Sequence, residues 1–312
     1  MKKIISLALT LVLLVAVLSG CNTNQADYTV GVCQLMVHDS LDQATQGFTD
    51  ALNEKMAAAG KTVFFDTQVA GKADLCTTVV NTFTAKNVDL IMANATPALL
   101  AAANATTSIP VLGTSVTDYA DTFAGNIPAN VSGTSDAVPF DEQAKMMITS
   151  LGLKAGDLVG VLYCSNESNS LIQYEAVKAL FEQEGIQVKA YTFSETTELQ
   201  ALTNSMAENC KAVYVPSDNT VAQNDTIVGT ICTEKNVPVY TSYGGTICYA
   251  SLSIDYYQLG YETGKMAVQI LKGEADIATM PVKFAPEVTK MYNAANCTAL
   301  GINVPDGYSA IE

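Results

Sequence analysis

The sequence lacks two side chains that are prominent in molecular recognition, since none of its 312 residues is arginine or tryptophan. It also contains a single histidine, His38. One imidazole cannot build a multi-histidine metal site, and without a guanidinium no bidentate clamp can hold a carboxylate or a phosphate. A bound anion must therefore be held by lysine, by hydroxyl groups or by backbone amides. We expect no metal site and no cofactor.

Charged residues are scarce and mostly acidic. Only 15% of the residues are charged, with 16 basic against 31 acidic side chains and a formal net charge of −15. Such a chain does not attract a phosphate backbone, so we expect no nucleic-acid partner. The hydrophobic fraction of 49% is typical of a globular protein. The length fits one large domain or, more comfortably, two lobes that each bury a core.

Common catalytic motifs are missing as well. The chain has no Gly-x-Ser-x-Gly turn and no His-Glu-x-x-His helix, and no Ser/His/Asp set can form around His38 as the only base. We therefore predict no catalytic residue and no enzyme. A carboxylate pair such as Glu167 and Asp218 keeps acid-base chemistry open as an alternative.

The first residues have the features of a targeting segment. Two lysines follow Met1, an apolar run covers residues 4–18, and small residues lead to Cys21. This pattern resembles a bacterial lipoprotein signal, and the apolar run is short for a transmembrane helix. We expect residues 1–20 to be a signal peptide and Cys21 to be the lipid attachment site. Residues 21–27 would then link the protein to the extracytoplasmic face of the bacterial cell membrane.

Seven further cysteines lie along the chain, and an odd number cannot all pair within one molecule. None of them forms a Cys-x-x-Cys motif. Cys33, Cys76 and Cys232 lie in apolar segments, which favours small buried thiols over disulfides.

Past residue 27 short β-branched runs alternate with longer amphipathic stretches, which is typical of an α/β protein with a mostly parallel sheet. The first series predicts strands at 28–34, 62–67, 90–93 and 111–113, with helices at 40–59, 73–85 and 96–106. The second predicts strands at 158–163, 187–192, 212–215 and 238–241, with helices at 168–184, 197–208 and 219–235. A strand at 250–254, a helix at 256–271 and a short helix near 296–300 follow.

The two series correspond point by point. Gly31-Val32 corresponds to Gly160-Val161 and Ile109-Pro110 to Val237-Pro238, in the same order and at similar spacing. We therefore predict two similar lobes around a cleft, with the chain crossing between them more than once. We assign residues 28–135 and 252–285 to the first lobe, and 136–251 and 286–312 to the second.

Ligands of open parallel sheets bind beyond the carboxyl ends of the strands, where helix N-termini present free amides. Thr96 fits the N-cap of one such helix and Pro97 its first position, so the amides that follow can meet a ligand carboxylate or can simply begin a capped helix. In the other series Asp218 can pair with a ligand ammonium or cap its own helix, and Asp255 has the same two possibilities.

Other loops are less specific. The segments around Ser115 and Asn166 are rich in hydroxyls and amides, which suit ligand contact but are also common in turns. Tyr243 can stack on an apolar ligand or belong to the core, and His38 can line the cleft or remain solvated.

Several stretches together resemble the substrate-binding lipoproteins of ABC transporters, most closely the branch associated with tryptophan and tyrosine uptake. In chain order they are the lipobox before Cys21, GVCQLMVHDSLD at 31–42, ATPA at 95–98, VTD at 116–118, VSGTSD at 131–136, YVPSDNT at 214–220 and IDYYQLG at 254–260. The resemblance covers nearly all of the chain that follows the signal.

The resemblance implies a type I periplasmic-binding-protein fold, in which two doubly wound parallel-sheet lobes are joined by a hinge around a ligand cleft. It implies an amino-acid ligand, most closely Tyr, Trp or Phe, and delivery to the transmembrane subunits of an ABC permease. We expect a monomer. The implied contacts are Thr96, Pro97 and Ala98 for the carboxylate with Ser115 and Thr117 beside it, and Asn166, Asp218, Asn219 and Asp255 for the amine and the second lobe. Gln34 and Tyr243 are further candidate contacts.

Two alternatives to uptake of an amino acid stay open at this point. Another small solute, such as a sugar or a nucleoside, can occupy the same cleft, although the lack of tryptophan and arginine disfavours a sugar. The same receptor can also report to a membrane sensor instead of feeding a permease.

Overall fold

A computed structural model describes residues 26–285, 287–304 and 306–311 of the chain. The expected signal peptide and the lipidated Cys21 lie outside these residues. Within them, no helix has both the length and the apolar character needed to cross a membrane.

The first lobe is a six-stranded sheet with helices on both faces, and all its strand pairs are parallel. Its strands are β1 Tyr28–Gln34, β2 Val63–Val69, β3 Leu90–Asn94, β4 Val111–Val116, β5 Val131–Ser135 and β11 Lys283–Phe284, in the order β11-β5-β4-β3-β1-β2. Its helices are α1 Asp39–Ala58, α2 Cys76–Lys86, α3 Thr96–Ala105, α4 Tyr119–Thr122 and α10 Tyr256–Leu271.

The second lobe is a seven-stranded sheet, parallel except where β10 meets β12. Its strands are β6 Leu158–Cys164, β7 Gln187–Phe193, β8 Ala212–Val215, β9 Val239–Thr241, β10 Ala250–Ile254, β12 Val288–Tyr292 and β13 Ser309–Ala310, in the order β13-β12-β10-β9-β8-β6-β7. Its helices are α5 Phe140–Leu151, α6 Ser168–Gln183, α7 Leu199–Asn209, α8 Asn219–Gln223, α9 Asp225–Glu234 and α11 Ala294–Leu300.

The repeat found in the sequence is a repeat of topology. The order β2-β1-β3-β4-β5 in one sheet matches β7-β6-β8-β9-β10 in the other, so Gly31 of β1 and Gly160 of β6 occupy equivalent strands. The central strands β3, β4 and β8 are buried along their whole length, as expected for parallel strands that helices cover on both faces. The predicted α/β fold with two doubly wound lobes is confirmed.

Several details differ from the sequence-based expectation. The helix predicted at 219–235 is two helices that meet at Asn224. The strands β5, β11, β12 and β13 and the helices α4 and α5 were not predicted. The pairing of β10 with β9 and β12 places residues 252–254 in the second sheet, so the chain returns to the first lobe at Asp255 and not at residue 252.

The first lobe is closed by tight packing of α10 against α1. A Cβ atom on Gly260 would lie 1.9 Å from the Ala44 carbonyl oxygen, and one on Gly47 would lie 2.0 Å from the Tyr257 carbonyl oxygen. Only glycine permits backbones to approach this closely. This contact fixes the N-terminus of α10, and with it Tyr256, beside the cleft.

The seven cysteines within the described residues are all free and buried. This confirms the interpretation of Cys33, Cys76 and Cys232 as buried thiols.

Candidate functional site

A small cavity lies between the two lobes, where the carboxyl ends of both sets of strands converge. It encloses about 10 Å³, which is room for about one water molecule. Its lining residues are His38, Ser40, Leu41, Ser115, Asp136 and Tyr256 from the first lobe and the crossover next to it, and Ser217, Asp218, Asn219, Ala222 and Tyr243 from the second lobe. Two larger spaces of about 540 and 380 Å³ also lie between residues of both lobes.

The polar groups that the first lobe contributes to this site lie at the ends of neighbouring strands. Asn94 ends β3 and pairs with Thr114 of β4, and the Asp136 amide donates to the Val116 carbonyl at 3.1 Å. Ser115 and Asp136 therefore lie at the same edge of the sheet, where parallel strands end side by side.

Asp136 is the most informative residue of the site. One carboxylate oxygen, Oδ2, accepts a hydrogen bond from the Tyr256 hydroxyl at 3.2 Å. The other oxygen, Oδ1, is buried and has no hydrogen-bond partner in the described part of the chain. Burial raises the pKa of the Asp136 carboxyl to about 6, although hydrogen bonds from Thr117 and Tyr256 act to lower it. A buried acceptor of this kind is suited to a cationic ligand group.

Two buried hydroxyls nearby are in the same situation. Ser115 Oγ and Thr96 Oγ1 find no partner within the residues that the structure describes. Ser115 has a positive φ of 55° and Ala95 one of 91°, which are conformations that non-glycine residues rarely adopt and that often occur at binding sites. Ser115 lines the cavity, and Thr96 lies at the start of α3 directly after the strained Ala95.

The start of α3 differs from the prediction by one residue. Ala95 is the N-cap, so Thr96 is the first helical residue and the half-buried Pro97 is the second. The amides of Thr96 and Ala98 belong to the first turn, where no carbonyl of the helix can accept from them. Together with the helix dipole they favour an anionic group at this end.

Asp218 caps its own helix, which was one of its two predicted roles. Its carboxylate accepts from the Val221 amide at 2.8 Å, from the Cys164 amide at 2.8 Å and from the Ser170 hydroxyl at 2.7 Å. Burial, and then the nearby Glu167, raise the pKa of the Asp218 carboxyl well above its usual value. Asp218 also lines the cavity, but both of its carboxylate oxygens already have protein partners.

Glu167 has a bracing role that sequence reasoning did not assign. It accepts from the Asn219 amide at 3.0 Å, the Asn219 side chain at 2.6 Å and the Thr220 amide at 2.8 Å. With Asp218 equally engaged, neither member of this carboxylate pair is free for acid-base chemistry.

The remaining predicted residues divide into those near the cavity and those outside it. Tyr243 lines the cavity, and its buried hydroxyl has no partner among the described residues. Thr117 Oγ1 accepts from Gln173 Nε2 of the second lobe at 3.2 Å. Gln34 donates both amide hydrogens, to the Met36 carbonyl at 2.8 Å and to Asp42 at 2.6 Å, so it braces the loop after β1.

Of the predicted contacts, Ser115, Asp218, Asn219 and Tyr243 line this cavity, and the other seven do not. Two of those seven are exposed. Asn166 is exposed and donates to the Ser194 carbonyl at 3.3 Å, at the edge of the 540 Å³ space. Asp255 is exposed and caps α10 through the Gln258 amide at 2.9 Å.

The sequence matches a known protein family over most of its length. A family model described as ABC transporter substrate binding protein matches residues 29–311. The chain belongs to this family. A curated relative, the tyrosine-binding protein of Clostridioides difficile, is 32% identical over 96% of this chain and 92% of its own length. Members of the family are solute receptors of the extracytoplasmic space that bind a small molecule and work with an ABC permease.

Two solved structures of similar sequence match the fold of this chain. A domain from Streptococcus pneumoniae in complex with L-Trp matches with a TM-score of 0.83 at 31% identity, over 92% of this chain and 100% of its own. A ligand-free, open substrate-binding protein with adhesive properties from Clostridium difficile matches with 0.67 at 32% identity, over 91% and 99%.

Proposed function

We propose that this protein is a receptor for an aromatic amino acid, tyrosine, tryptophan or phenylalanine, which it holds between its lobes and delivers to an ABC permease. The observation that supports this proposal most strongly is the buried, unpartnered oxygen of Asp136, which lines the same cavity as Ser115 with its strained backbone and lies at the same edge of the first sheet as the start of α3. The relatives named for tyrosine and for L-Trp support the choice of ligand class.

The two charged groups of an amino acid have separate partners in this proposal. The ammonium group faces Asp136 Oδ1. The carboxylate meets the amides of Thr96 and Ala98 and the hydroxyls of Thr96 and Ser115. This division of roles holds a zwitterion without arginine.

The ligand side chain extends toward the second lobe. Tyr243 and Tyr256 line both the small cavity and the adjoining 380 Å³ space, so a rotation of these two side chains joins the two spaces while the lobes stay together. Leu41 and Ala222 add apolar surface. Aromatic rings in this position can stack on an aromatic ligand.

Binding is coupled to closure and involves no bond chemistry. A ligand that contacts both lobes binds the closed form more tightly than the open form. The difference between these two binding free energies sets how strongly the ligand favours closure. The permease then recognises the closed shape.

We further propose that the mature protein begins at a lipidated Cys21, which tethers it to the membrane through residues 21–27. The sequence features of residues 1–21 support this anchor. We also propose that the protein acts as a monomer.

A thermal-shift screen of residues 22–312 tests the ligand class, using the twenty amino acids, a sugar panel and nucleosides. We expect stabilisation by Tyr, Trp or Phe, amounting to about 2.7 kcal/mol at 100 times the dissociation constant. Stabilisation by sugars or nucleosides alone would overturn the assignment of the ligand class but not the description of the fold.

Affinity should also fall in acid, because the ammonium group needs an ionised Asp136. The pKa of this carboxyl is about 6 in the ligand-free protein, so below pH 6 binding must release a proton. The affinity then decreases by up to about tenfold per pH unit. Calorimetry between pH 4.5 and 8 measures this slope, and an affinity that rises toward low pH would contradict the pairing.

A further inference from the structure

One hydrogen bond between the lobes involves the only histidine of the chain. His38 lies in the first lobe at the end of the loop between β1 and α1, and its Nε2 is 3.1 Å from Oδ1 of Asn219 in the second lobe. The two residues lie on opposite sides of the cleft, so this bond can form only when the lobes are close together.

The partner is held in one orientation. Asn219 donates through Nδ2 to Glu167 at 2.6 Å, and its backbone amide donates to the same carboxylate at 3.0 Å. Oδ1 of Asn219 must then face His38, and because this oxygen can only accept, the hydrogen lies on Nε2 of the imidazole.

The bond is also part of the wall of the proposed ligand site. His38, Ala222 and Tyr243 are among the residues that line both the buried cavity and the adjoining 380 Å³ space. Parting the lobes on this side breaks the His38–Asn219 bond and opens the cavity toward solvent.

We propose that His38 is the latch of the closed form, a positioning residue that slows ligand release by bonding to Asn219 across the cleft. This inference rests on the proposed function, in which a solute occupies the cavity. It adds a residue whose effect is on the rate of opening and which need not contact the ligand.

The latch is sensitive to pH in one direction. The charged groups that face His38 are Asp39 and Asp42 of α1, Glu167 after β6 and Asp225 of α9, and all four favour a protonated imidazole. Burial in the closed form nevertheless outweighs them and lowers the pKa of His38. Protonation therefore favours the open form, and acid should speed release.

Stopped-flow release of L-tyrosine, L-tryptophan or L-phenylalanine tests the latch. We expect His38→Ala to raise the dissociation rate by about fivefold with little change in the association rate, the range expected for one hydrogen bond. His38→Gln keeps an N–H donor and should restore most of the slow release. Val37→Ala, at an exposed neighbour in the same loop, is the matched control and should leave the rate unchanged.

Proton NMR supplies a readout that a merely structural role would not give. Because the native sequence has one imidazole, a tag-free protein shows a single histidine titration. Saturating ligand should lower its midpoint, since closure buries the ring. An unchanged midpoint, or a His38→Ala variant that releases ligand no faster than the wild type, would overturn the latch.

Failure of the amino-acid assignment would look different, because no aromatic amino acid would then stabilise the wild type. The same rates and titration would in that case be measured with the solute that the thermal-shift screen identifies.

Discussion

Replacing Asp136 with asparagine is expected to lower the affinity for an aromatic amino acid by about 100-fold. The substitution preserves the shape of the side chain and an acceptor for the Tyr256 hydroxyl, but removes the charge that faces the ligand ammonium. Truncating one partner of a buried charge pair costs about 2–5 kcal/mol of binding free energy. Calorimetry of the variant measures the loss.

The same variant should be more stable than the wild type without ligand. The folded pKa of Asp136 is raised from 3.8 to about 6, so the ionised carboxylate disfavours the folded state, and this cost grows as pH rises from about 4 to 6. Two pKa units correspond to roughly 3 kcal/mol at higher pH. Urea unfolding at pH 8 should show a gain up to that size in Asp136→Asn.

Asp255→Asn is the matched control for both measurements, because this acid is exposed, caps α10 and lies outside the cavity. It should leave both the affinity and the free energy of unfolding nearly unchanged, because asparagine also serves as an N-cap. Wild-type affinity in Asp136→Asn would remove Asp136 from the site.

Replacing Asp218 with alanine is expected to destabilise the protein by about 3 kcal/mol. The change leaves the amides of Cys164 and Val221 and the hydroxyl of Ser170 without their acceptor in the interior. Each unsatisfied buried donor costs about 1–3 kcal/mol, part of which is offset by removing a buried carboxylate. The free energy of unfolding in urea measures the net effect.

A second aspartate cap provides the comparison. Asp118 accepts from the Asp121 amide at 2.9 Å at the start of α4, but has no such set of buried donors. Asp118→Ala should cost only about 1 kcal/mol. Equal effects at the two positions would show that the buried network around Asp218 adds nothing to stability.

Most of the fold could be predicted from the sequence because its central strands are continuous apolar runs and because the pattern occurs twice. The elements that escaped prediction lack these signals. Strand β5 reads Val-Ser-Gly-Thr-Ser, which looks like a turn although every residue is buried between β4 and β11. The break at Asn224 has no proline or glycine to mark it.

The candidate site was only partly predictable for a different reason. Strand ends identify loops, and Ser115, Asp218 and Tyr243 were found in this way because parallel strands end at one edge. Asp136 is buried beside Tyr256, which donates to one of its oxygens and leaves the other free. The two residues are 120 positions apart in the sequence, so no local pattern reveals this arrangement. Nor does sequence show that the side chains of Asn166 and Asp255 lie outside the cavity.

Calorimetry with paired ligand analogues tests the proposed zwitterion site most directly. L-Tyrosine, L-tryptophan and L-phenylalanine would each be compared with the analogue lacking the α-amino group and the analogue lacking the carboxylate. We expect at least one amino acid to bind and both of its analogues to lose about 100-fold or more in affinity. Analogues that bind as tightly as the parent amino acid would contradict the roles of Asp136 and the α3 N-terminus.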